Sequence, residues 1–185
     1  KMHERAMSTD ADVVVYDLAF CRPGEDEPPA GPASLFMSYL PAGHADPFTC
    51  DVAGNKAFLF TGASACTELF ARSLVEGLGL RFTDHPIAED LLFTYTALSC
   101  AERVTAIEEP FYQYDLGTGS GNEVNPGNIS ILADVFSELR DRLRAKGLLP
   151  RYRDAFVSLA FGHFDNMLSA APDAAALKQV FETIS

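Results

Sequence analysis

The sequence predicts an α/β protein in which a sheet with flanking helices comes first and a helical extension follows. Residues 13–20 are a nearly continuous run of β-branched, aromatic and aliphatic side chains, which is typical of a strand covered on both faces. A length of 185 residues with 48% apolar side chains suits one hydrophobic core. A later segment repeats apolar residues at helical spacing, at Leu132, Val135, Phe136, Leu139 and Leu143.

The first sixty residues alternate between helix, strand and turn signals. Residues 1–10 predict the end of a helix, and the strand at 13–20 is interrupted only by Asp17. The proline-rich and acidic stretch at 22–32 predicts a solvated loop. The elements expected after it are a short strand at 34–40, a turn at 41–47 and a candidate helix at about 50–60.

Two helices and two short strands are expected next. A short helix over residues 72–79 has Gly77 and Gly79 at its end, where glycine accepts the left-handed backbone of a helix C-terminus. A second helix over residues 89–101 carries two acids in its first turn, where the helix dipole favours anions. The strands are expected at 104–107 and 111–114, on either side of Glu108-Glu109-Pro110.

The last third of the chain is predicted to be helical. The glycine-rich stretch at 117–121 separates it from the sheet, as a mobile flap or as a free linker. We therefore divide the chain into residues 1–116 and 117–185. Three helices follow the glycines: one that Gly147 ends, one over 152–167 and one over 177–184.

Composition excludes several classes of function. Fourteen basic against 26 acidic residues give a net charge of −12, which repels phosphate backbones and argues against nucleic-acid binding. No apolar run approaches the roughly 18 residues that span a bilayer. Four cysteines without a Cys-x-x-Cys pair indicate reduced thiols and a cytoplasmic location. Because the first residue is lysine, we expect that the true start of the protein lies upstream.

Residues 66–114 carry four short motifs in a fixed order. They are Leu69-Phe70-Ala71-Arg72, Gly79-Leu80-Arg81-Phe82, Glu89-Asp90 followed by Phe93, and Tyr112-Gln113-Tyr114. This order resembles the second half of bacterial family 2 glycosyltransferases, and the likeness covers about residues 10–120.

The resemblance implies a Rossmann-like GT-A fold that transfers a sugar from a nucleotide-sugar donor to an acceptor hydroxyl, usually with inversion. Residues 1–116 would be the acceptor-side part of this catalytic domain. A divalent cation, Mg²⁺ or Mn²⁺, is expected in the intact enzyme with its ligands outside this chain. The acceptor would be a glycan or a lipid-linked molecule in the synthesis of a cell-surface polysaccharide. The isolated chain is expected to be inactive.

The acidic pair has a chemical reason in such a reaction. An alcohol is a weak nucleophile, so a carboxylate must accept its proton as the new bond forms. By the resemblance, Asp90 is the general base and Glu89 orients or tunes it. The alternative is that both acids only stabilise the start of their helix.

Four other residues are candidates for substrate binding. Arg72 belongs to the first of the four motifs, and the resemblance implies that it binds substrate. His85 either lines the acceptor site or faces solvent in its loop. Tyr112 and Tyr114 alternate along a strand and therefore point to one side. They form a wall that stacks on a sugar, or they pack against the helices.

The sequence also departs from the family pattern. Glu68 stands where a lysine is usual, and Asp115 stands where an arginine often follows the tyrosines. Both put contacts to the donor or acceptor in doubt and favour the competing interpretation, a non-catalytic interaction domain. Asp10-Ala11-Asp12 has the letters of a metal motif but precedes the strand, so we interpret it as a turn and expect no metal ligands in this chain.

Six of the fourteen basic residues lie between positions 140 and 153. Cations at the end of a helix complement its dipole, so a solvated surface is the first interpretation. The sharper alternative is contact with an anionic acceptor or with the inner face of a membrane. If the chain is part of a larger catalytic unit, we expect it to expose apolar surface through which it would form a homo-oligomer.

Overall fold

The computed structural model describes residues 1–21, 43, 48–51, 64–115, 128–170, 175, 178, 182 and 183. Its strands are β1 (Val13–Cys21), β2 (Phe48–Asp51), β3 (Glu68–Phe70) and β4 (Arg103–Asp115). Its helices are α1 (Met2–Thr9), α2 (Arg72–Gly77), α3 (Glu89–Cys100), α4 (Ile129–Ala145) and α5 (Leu149–Ala170), and a 3₁₀ turn (Ala65–Thr67) precedes β3. The predicted α/β class is confirmed.

The four strands form one mixed sheet in the order β2-β4-β1-β3. The central strands β1 and β4 are parallel, whereas the short edge strands β2 and β3 run antiparallel to their neighbours. Three consecutive valines of β1, Val13–Val15, are completely buried, which agrees with a strand covered on both faces. The run of apolar residues therefore predicted the centre of the sheet correctly.

The pairing of β1 with β4 shifts register at Asp17. Tyr16 pairs with Ile107 and Leu18 pairs with Tyr112, so β4 has three more residues than β1 across this short stretch. The side chain of Asp17 is fully buried, and its Oδ1 accepts a hydrogen bond of 2.7 Å from the backbone N–H of Leu18. The break is an irregularity of the β-bulge kind, which re-aims the side chains that follow it.

The two strands expected at 104–107 and 111–114 are one strand, β4, so that prediction is wrong. Proline has no N–H to donate within a sheet, but the register of the β1–β4 pairing shifts on both sides of the Asp17–Pro110 pair, so the strand continues through Pro110. The prediction of a helix at about 50–60 is also wrong for its first two residues. There Cys50 and Asp51 belong to β2, which pairs with β4.

Helices α3, α4 and α5 pack on the sheet in one hydrophobic core. The cluster includes Val13 and Val15 of β1, Leu91 and Tyr95 of α3, and a large group on α4 and α5 that is centred on Phe136. In the sequence, Leu91, Leu92, Tyr95 and Leu98 recur on one face of α3, yet every residue from Leu91 to Ser99 is buried. A helix buried all round is enclosed by its neighbours, here α2 on one side and α4 on another.

Glycines end α2 and α4 as expected. Gly79 and Gly147 both have positive φ, at 61° and 68°, which a residue with a side chain adopts at a cost. After α4, the N–H of Gly147 bonds to the carbonyl of Arg144 and that of Leu148 to the carbonyl of Leu143, as in a Schellman motif. Gly79 and Leu80 make the equivalent pair of bonds after α2.

Several expected features lie outside the described residues. They are the loop at 22–32, the strand at 34–40, the glycine-rich stretch at 117–121, the boundary between 116 and 117, and most of the helix at 177–184.

Candidate active site

The candidate site is built around the start of α3. Ala88 precedes the helix in a left-handed backbone conformation, with φ 53° and ψ 30°. An alanine held at positive φ is strained, and such strain persists where the surrounding structure imposes it. The turn sets the direction in which the first residues of α3, Glu89 and Asp90, leave the preceding loop.

The two acids of the pair have different surroundings. Glu89 is exposed, whereas Asp90 is half-buried and its Oδ2 accepts a hydrogen bond of 3.3 Å from the N–H of Ala65. Burial raises the pKa of Asp90, and the charge of Glu89 raises it further. Hydrogen bonds from the N–H groups of Ala65, Asp90 and Leu91 lower it by less, so the pKa of Asp90 is raised overall. Asp90 is thus a carboxylate with increased basicity, as a general base requires.

A second carboxyl group, Glu68, feels the charge of Asp90, and sequence reasoning missed its importance. Glu68 begins the edge strand β3 and pairs with Val15 of β1. It is 6% exposed, and neither carboxyl oxygen has a hydrogen-bond partner among the described residues. Burial, and after it the charge of Asp90, raises the pKa of Glu68 well above its usual range. The sequence signal was an acid directly before an apolar pair, Leu69-Phe70, in a strand.

The 3₁₀ turn connects these acids to the centre of the sheet. The hydroxyl of Tyr16 on β1 donates a hydrogen bond of 2.9 Å to the carbonyl oxygen of Cys66. The same turn supplies the Ala65 N–H that holds Asp90. Burial raises the pKa of Tyr16, and the charges of Cys66, Glu68 and Tyr112 raise it further. The site is therefore a cluster of acidic groups fixed by backbone contacts.

The ion-pair partners of His85 and Arg72 are residues outside this acidic cluster. The Nε2 of His85 is 3.5 Å from a carboxylate oxygen of Glu138 on α4, so this half-buried histidine joins its loop to α4. Partial burial raises the pKa of Glu138, but the hydrogen bonds and charges of Arg142 and His85 outweigh it and lower the pKa. Arg72 is largely exposed and pairs with Glu76 one turn along α2, at 3.0 Å. Their roles in substrate binding stay predictions.

The structure distinguishes between the two tyrosines of β4. Tyr114 packs edge-on against Phe20 of β1, with ring centres 5.8 Å apart. Tyr112 is 40% exposed. Tyr112 is therefore the ring available to stack on a ligand, whereas packing accounts for Tyr114.

The turn at Asp10-Ala11-Asp12 is confirmed. Asp12 Oδ2 accepts hydrogen bonds from the N–H groups of Glu102 and Arg103 at the start of β4, and the exposed carboxylate of Asp10 lies 3.5 Å from Arg103. Across the described part of the chain, no group of three or more His, Cys, Asp or Glu side chains is arranged to hold a metal ion. These residues do not fit the divalent cation that the resemblance implies, and we derive no step through it.

The basic residues at the end of α4 are mostly paired. Arg142 binds Glu138, Arg144 binds Asp141, and Arg140 donates to the carbonyl oxygens of Glu182 and Thr183. Arg142 and Lys146 also line a cavity of about 370 Å³ with residues of the loop that follows α2. No helix in the described ranges has the length and apolar character needed to cross a membrane. This pairing favours the solvated-surface interpretation.

Large apolar side chains are exposed at four places in the described part of the chain. Met7, Phe82, Tyr112 and Phe161 lie on different elements. Both faces of the central valines are covered, so the sheet does not present one apolar face there. The homo-oligomer stays a prediction. His163 of α5 is half-buried against Phe136, and burial lowers its pKa.

The sheet, its flanking helices and the C-terminal helices match part of a glycosyltransferase fold. Similar solved structures include TarS from S. aureus. TarS 1–349 in complex with UDP-GlcNAc matches 98% of this chain with a TM-score of 0.65 and 16% identity, and its complex with UDP matches with a TM-score of 0.61 and 15% identity. A longer TarS structure matches 99% of this chain with a TM-score of 0.63 and 14% identity.

This chain spans about half the length of TarS 1–349, at 50%, and 31% of the longer TarS chain. No protein-family model and no curated protein matches the sequence. At these low identities the likeness establishes the fold, and the activity is a separate question.

Proposed function

We propose that this chain supplies the acceptor side of an inverting glycosyltransferase that uses a nucleotide-sugar donor. The observation that carries the proposal is the half-buried, basic carboxylate of Asp90 at the first turn of α3, within a partial glycosyltransferase fold. The similar TarS structures hold UDP-GlcNAc and UDP, which supports a uridine nucleotide sugar as the class of donor.

In the proposed reaction, the acceptor hydroxyl oxygen attacks the anomeric carbon of the donor sugar. The bond from that carbon to the diphosphate breaks, and the nucleoside diphosphate leaves with the electron pair. The proton of the hydroxyl moves to a carboxylate oxygen of Asp90, which acts as the general base. Attack on the face opposite the leaving group inverts the anomeric configuration.

The surroundings of Asp90 support this role. The Ala65 N–H orients the carboxylate, and the N–H groups at the helix start partly offset the rise in its pKa that burial causes. Tyr112, exposed on β4, is the ring that we assign to stacking on the acceptor sugar. The divalent cation stays part of the proposal for the intact enzyme, with ligands from outside this chain. The acceptor is a glycan or a lipid-linked molecule, and a peripheral position at the inner face of a membrane would suit it.

The substitution Asp90→Asn in the full-length protein tests the general base. Asparagine keeps the shape of the side chain but cannot accept the proton, so we expect transfer to fall about 10²- to 10⁴-fold. Binding of the nucleotide sugar, measured by calorimetry, should change little because the base acts on the acceptor hydroxyl in the proposed reaction. The assay is transfer of labelled sugar from a panel of nucleotide sugars to acceptor glycans.

Asp134→Asn is the matched control, because Asp134 is an exposed acid on α4 and its loss should leave transfer unchanged. Full activity of Asp90→Asn would remove Asp90 from the mechanism. A wild type that binds no nucleotide sugar and transfers none would favour the alternative, a non-catalytic interaction domain.

A further inference from the structure

A cavity lies between the loop that follows α2 and the end of α4. It is lined by residues 78–83, by Thr96 of α3, and by Arg142 and Lys146 at the end of α4. Its volume of about 370 Å³ lies within the range of roughly 300–1,000 Å³ that is usual for small-molecule sites. Thr96 follows Asp90 by six residues, which is about 9 Å along the axis of α3, and no lining residue belongs to the acidic cluster. The cavity is therefore separate from the candidate active site.

The charge of the cavity wall is opposite to that of the whole chain. Of the described residues that line it, three are basic and none is acidic, although the net charge of the chain is −12. Arg142 donates from Nε and Nη2 to one carboxylate oxygen of Glu138. Arg81 donates from Nη1 to the carbonyl oxygen of Leu80, and neither Arg81 nor Lys146 has a carboxylate partner in the described part of the chain. Two positive charges without a counter-ion favour the binding of an anion.

An exposed aromatic ring lies next to these cations. Phe82, which also lines the cavity, stacks on Phe93 of α3 with ring centres 4.6 Å apart and an angle of 12° between the rings. This contact covers one face of the Phe82 ring and holds it in place, yet the side chain is 56% exposed. A ligand that carries an anionic group on a sugar ring would match both the cations and the apolar surface of Phe82.

Two threonines of the cavity wall have hydroxyl groups without a partner. The Oγ1 atoms of Thr83 and Thr96 are buried and make no hydrogen bond to any described residue. Both oxygens are covered in this conformation, and a rotation about the Cα–Cβ bond moves a hydroxyl to another staggered position. A hydroxyl that turned towards the cavity would donate to a ligand oxygen, and the cost of leaving a buried polar group unpaired would then be removed.

We propose that this cavity binds the phosphate monoester group of a small ligand, and that a sugar phosphate is the class of ligand that fits it best. A phosphate monoester carries nearly two negative charges at neutral pH and has three acceptor oxygens, so it matches the two unpaired cations better than a singly charged carboxylate does. The planar guanidinium of Arg81 suits paired hydrogen bonds to phosphate, and Lys146 supplies a point charge. This inference does not depend on the proposed transfer reaction.

Calorimetry of the full-length protein at pH 7.5 tests the class of ligand. The probes are glucose 6-phosphate, inorganic phosphate and glucose. We expect glucose 6-phosphate to bind most tightly, inorganic phosphate to bind more weakly and glucose not to bind. Added salt should weaken the binding of both phosphates, because it screens the charges. Glucose that binds as tightly as its phosphate would overturn the anion site.

The substitution Lys146→Met tests the role of the cavity cations. It removes the charge and keeps an unbranched side chain, so the affinity for both phosphates should fall about tenfold, as expected for the loss of one charge-assisted hydrogen bond. Arg153→Met is the control, because Arg153 is an exposed cation on α5 that does not line the cavity. An equal loss of affinity in the two variants, or no loss in Lys146→Met, would overturn the site.

A pair of threonine variants tests whether the phosphate lies inside the cavity. Thr94 and Thr96 are both buried on α3, and both have an Oγ1 atom without a partner among the described residues, but only Thr96 lines the cavity. Valine keeps the shape of threonine and lacks the hydroxyl, so neither Thr94→Val nor Thr96→Val should lower the stability. Only Thr96→Val should weaken the binding of phosphate. Unchanged binding in both variants would mean that phosphate binds at surface charges and would overturn the cavity as its site.

A lipid headgroup is a second source of the same chemical group. Vesicles that contain phosphatidic acid present a phosphate monoester, and vesicles of pure phosphatidylcholine do not. We expect free glucose 6-phosphate to bind and neither kind of vesicle to sediment the protein. Sedimentation with phosphatidic acid alone, lost in Lys146→Met, would assign the phosphate to a lipid, whereas binding of neither source would overturn the site. The Asp90→Asn transfer assay is independent of these results, so failure of this site leaves the general base untouched.

Discussion

Replacing Glu68 with leucine is expected to stabilise the protein. The two buried oxygens of Glu68 have no partner among the described residues. A buried polar group left unpaired costs roughly 1–3 kcal/mol, and leucine is close to glutamate in volume and has no polar side-chain atom. We therefore expect the free energy of unfolding to rise by about 1–3 kcal/mol, measured by urea denaturation at pH 5.5.

The gain in stability should increase with pH. Because burial and then the charge of Asp90 raise the pKa of Glu68, the native state holds a proton that the unfolded chain has released. The contribution of this group to stability is complete below the pKa of the unfolded chain and is lost as the pH rises through the pKa of the folded state. The wild type should therefore lose stability relative to Glu68→Leu between pH 5.5 and pH 8.

Glu76→Leu is the control for this experiment. Glu76 is mostly exposed and pairs only at the surface with Arg72, so its replacement should change the free energy of unfolding by less than about 0.5 kcal/mol. A less stable Glu68→Leu variant would refute the reasoning, because it would mean that the oxygens are paired in the folded protein. An equal gain at both pH values would refute the part that depends on ionisation.

Two further predictions concern the geometry of the site. Ala88→Gly should relieve the strain of the left-handed backbone before α3 and raise the free energy of unfolding by up to about 1 kcal/mol. Sugar transfer should fall, because the more flexible glycine holds Asp90 less firmly. A variant less stable than the wild type would show that Ala88 is not strained. Tyr112→Ala should raise KM for the acceptor with little loss of stability, because its ring is exposed. Tyr114→Ala should lower the melting temperature, because its ring packs on Phe20. The opposite pattern would show that Tyr114 binds the acceptor and Tyr112 is structural.

The sequence was sufficient where local rules decide the structure. The valine-rich run predicts β1, and the glycines that end α2 and α4 are recognisable because positive φ at a helix end is a property of a few adjacent residues. The acids Glu89 and Asp90 are also correctly placed in the first turn of α3. Each of these features depends on residues close together in the chain.

The sequence was insufficient where distant residues meet. The sequence predicts two strands on either side of Glu108-Glu109-Pro110, but β1 pairs with β4 on both sides of Pro110, and that pairing joins residues about 90 positions apart. In the sequence, Glu68 is a departure from a family pattern and an acid before an apolar pair, but its burial arises from the folding of β3 against β1. Tertiary contacts decided both cases.

The number of extra residues of β4 at the register shift decides which face of the sheet every later side chain of that strand occupies. Successive side chains of a strand alternate between the two faces, so the parity of the residue count decides which face each one takes. Removing one residue between Ile107 and Tyr112 would exchange the faces of Tyr112 and Gln113 with the same side chains still present downstream. The length of this short stretch therefore constrains the position of the stacking ring more strongly than the identity of any residue within it.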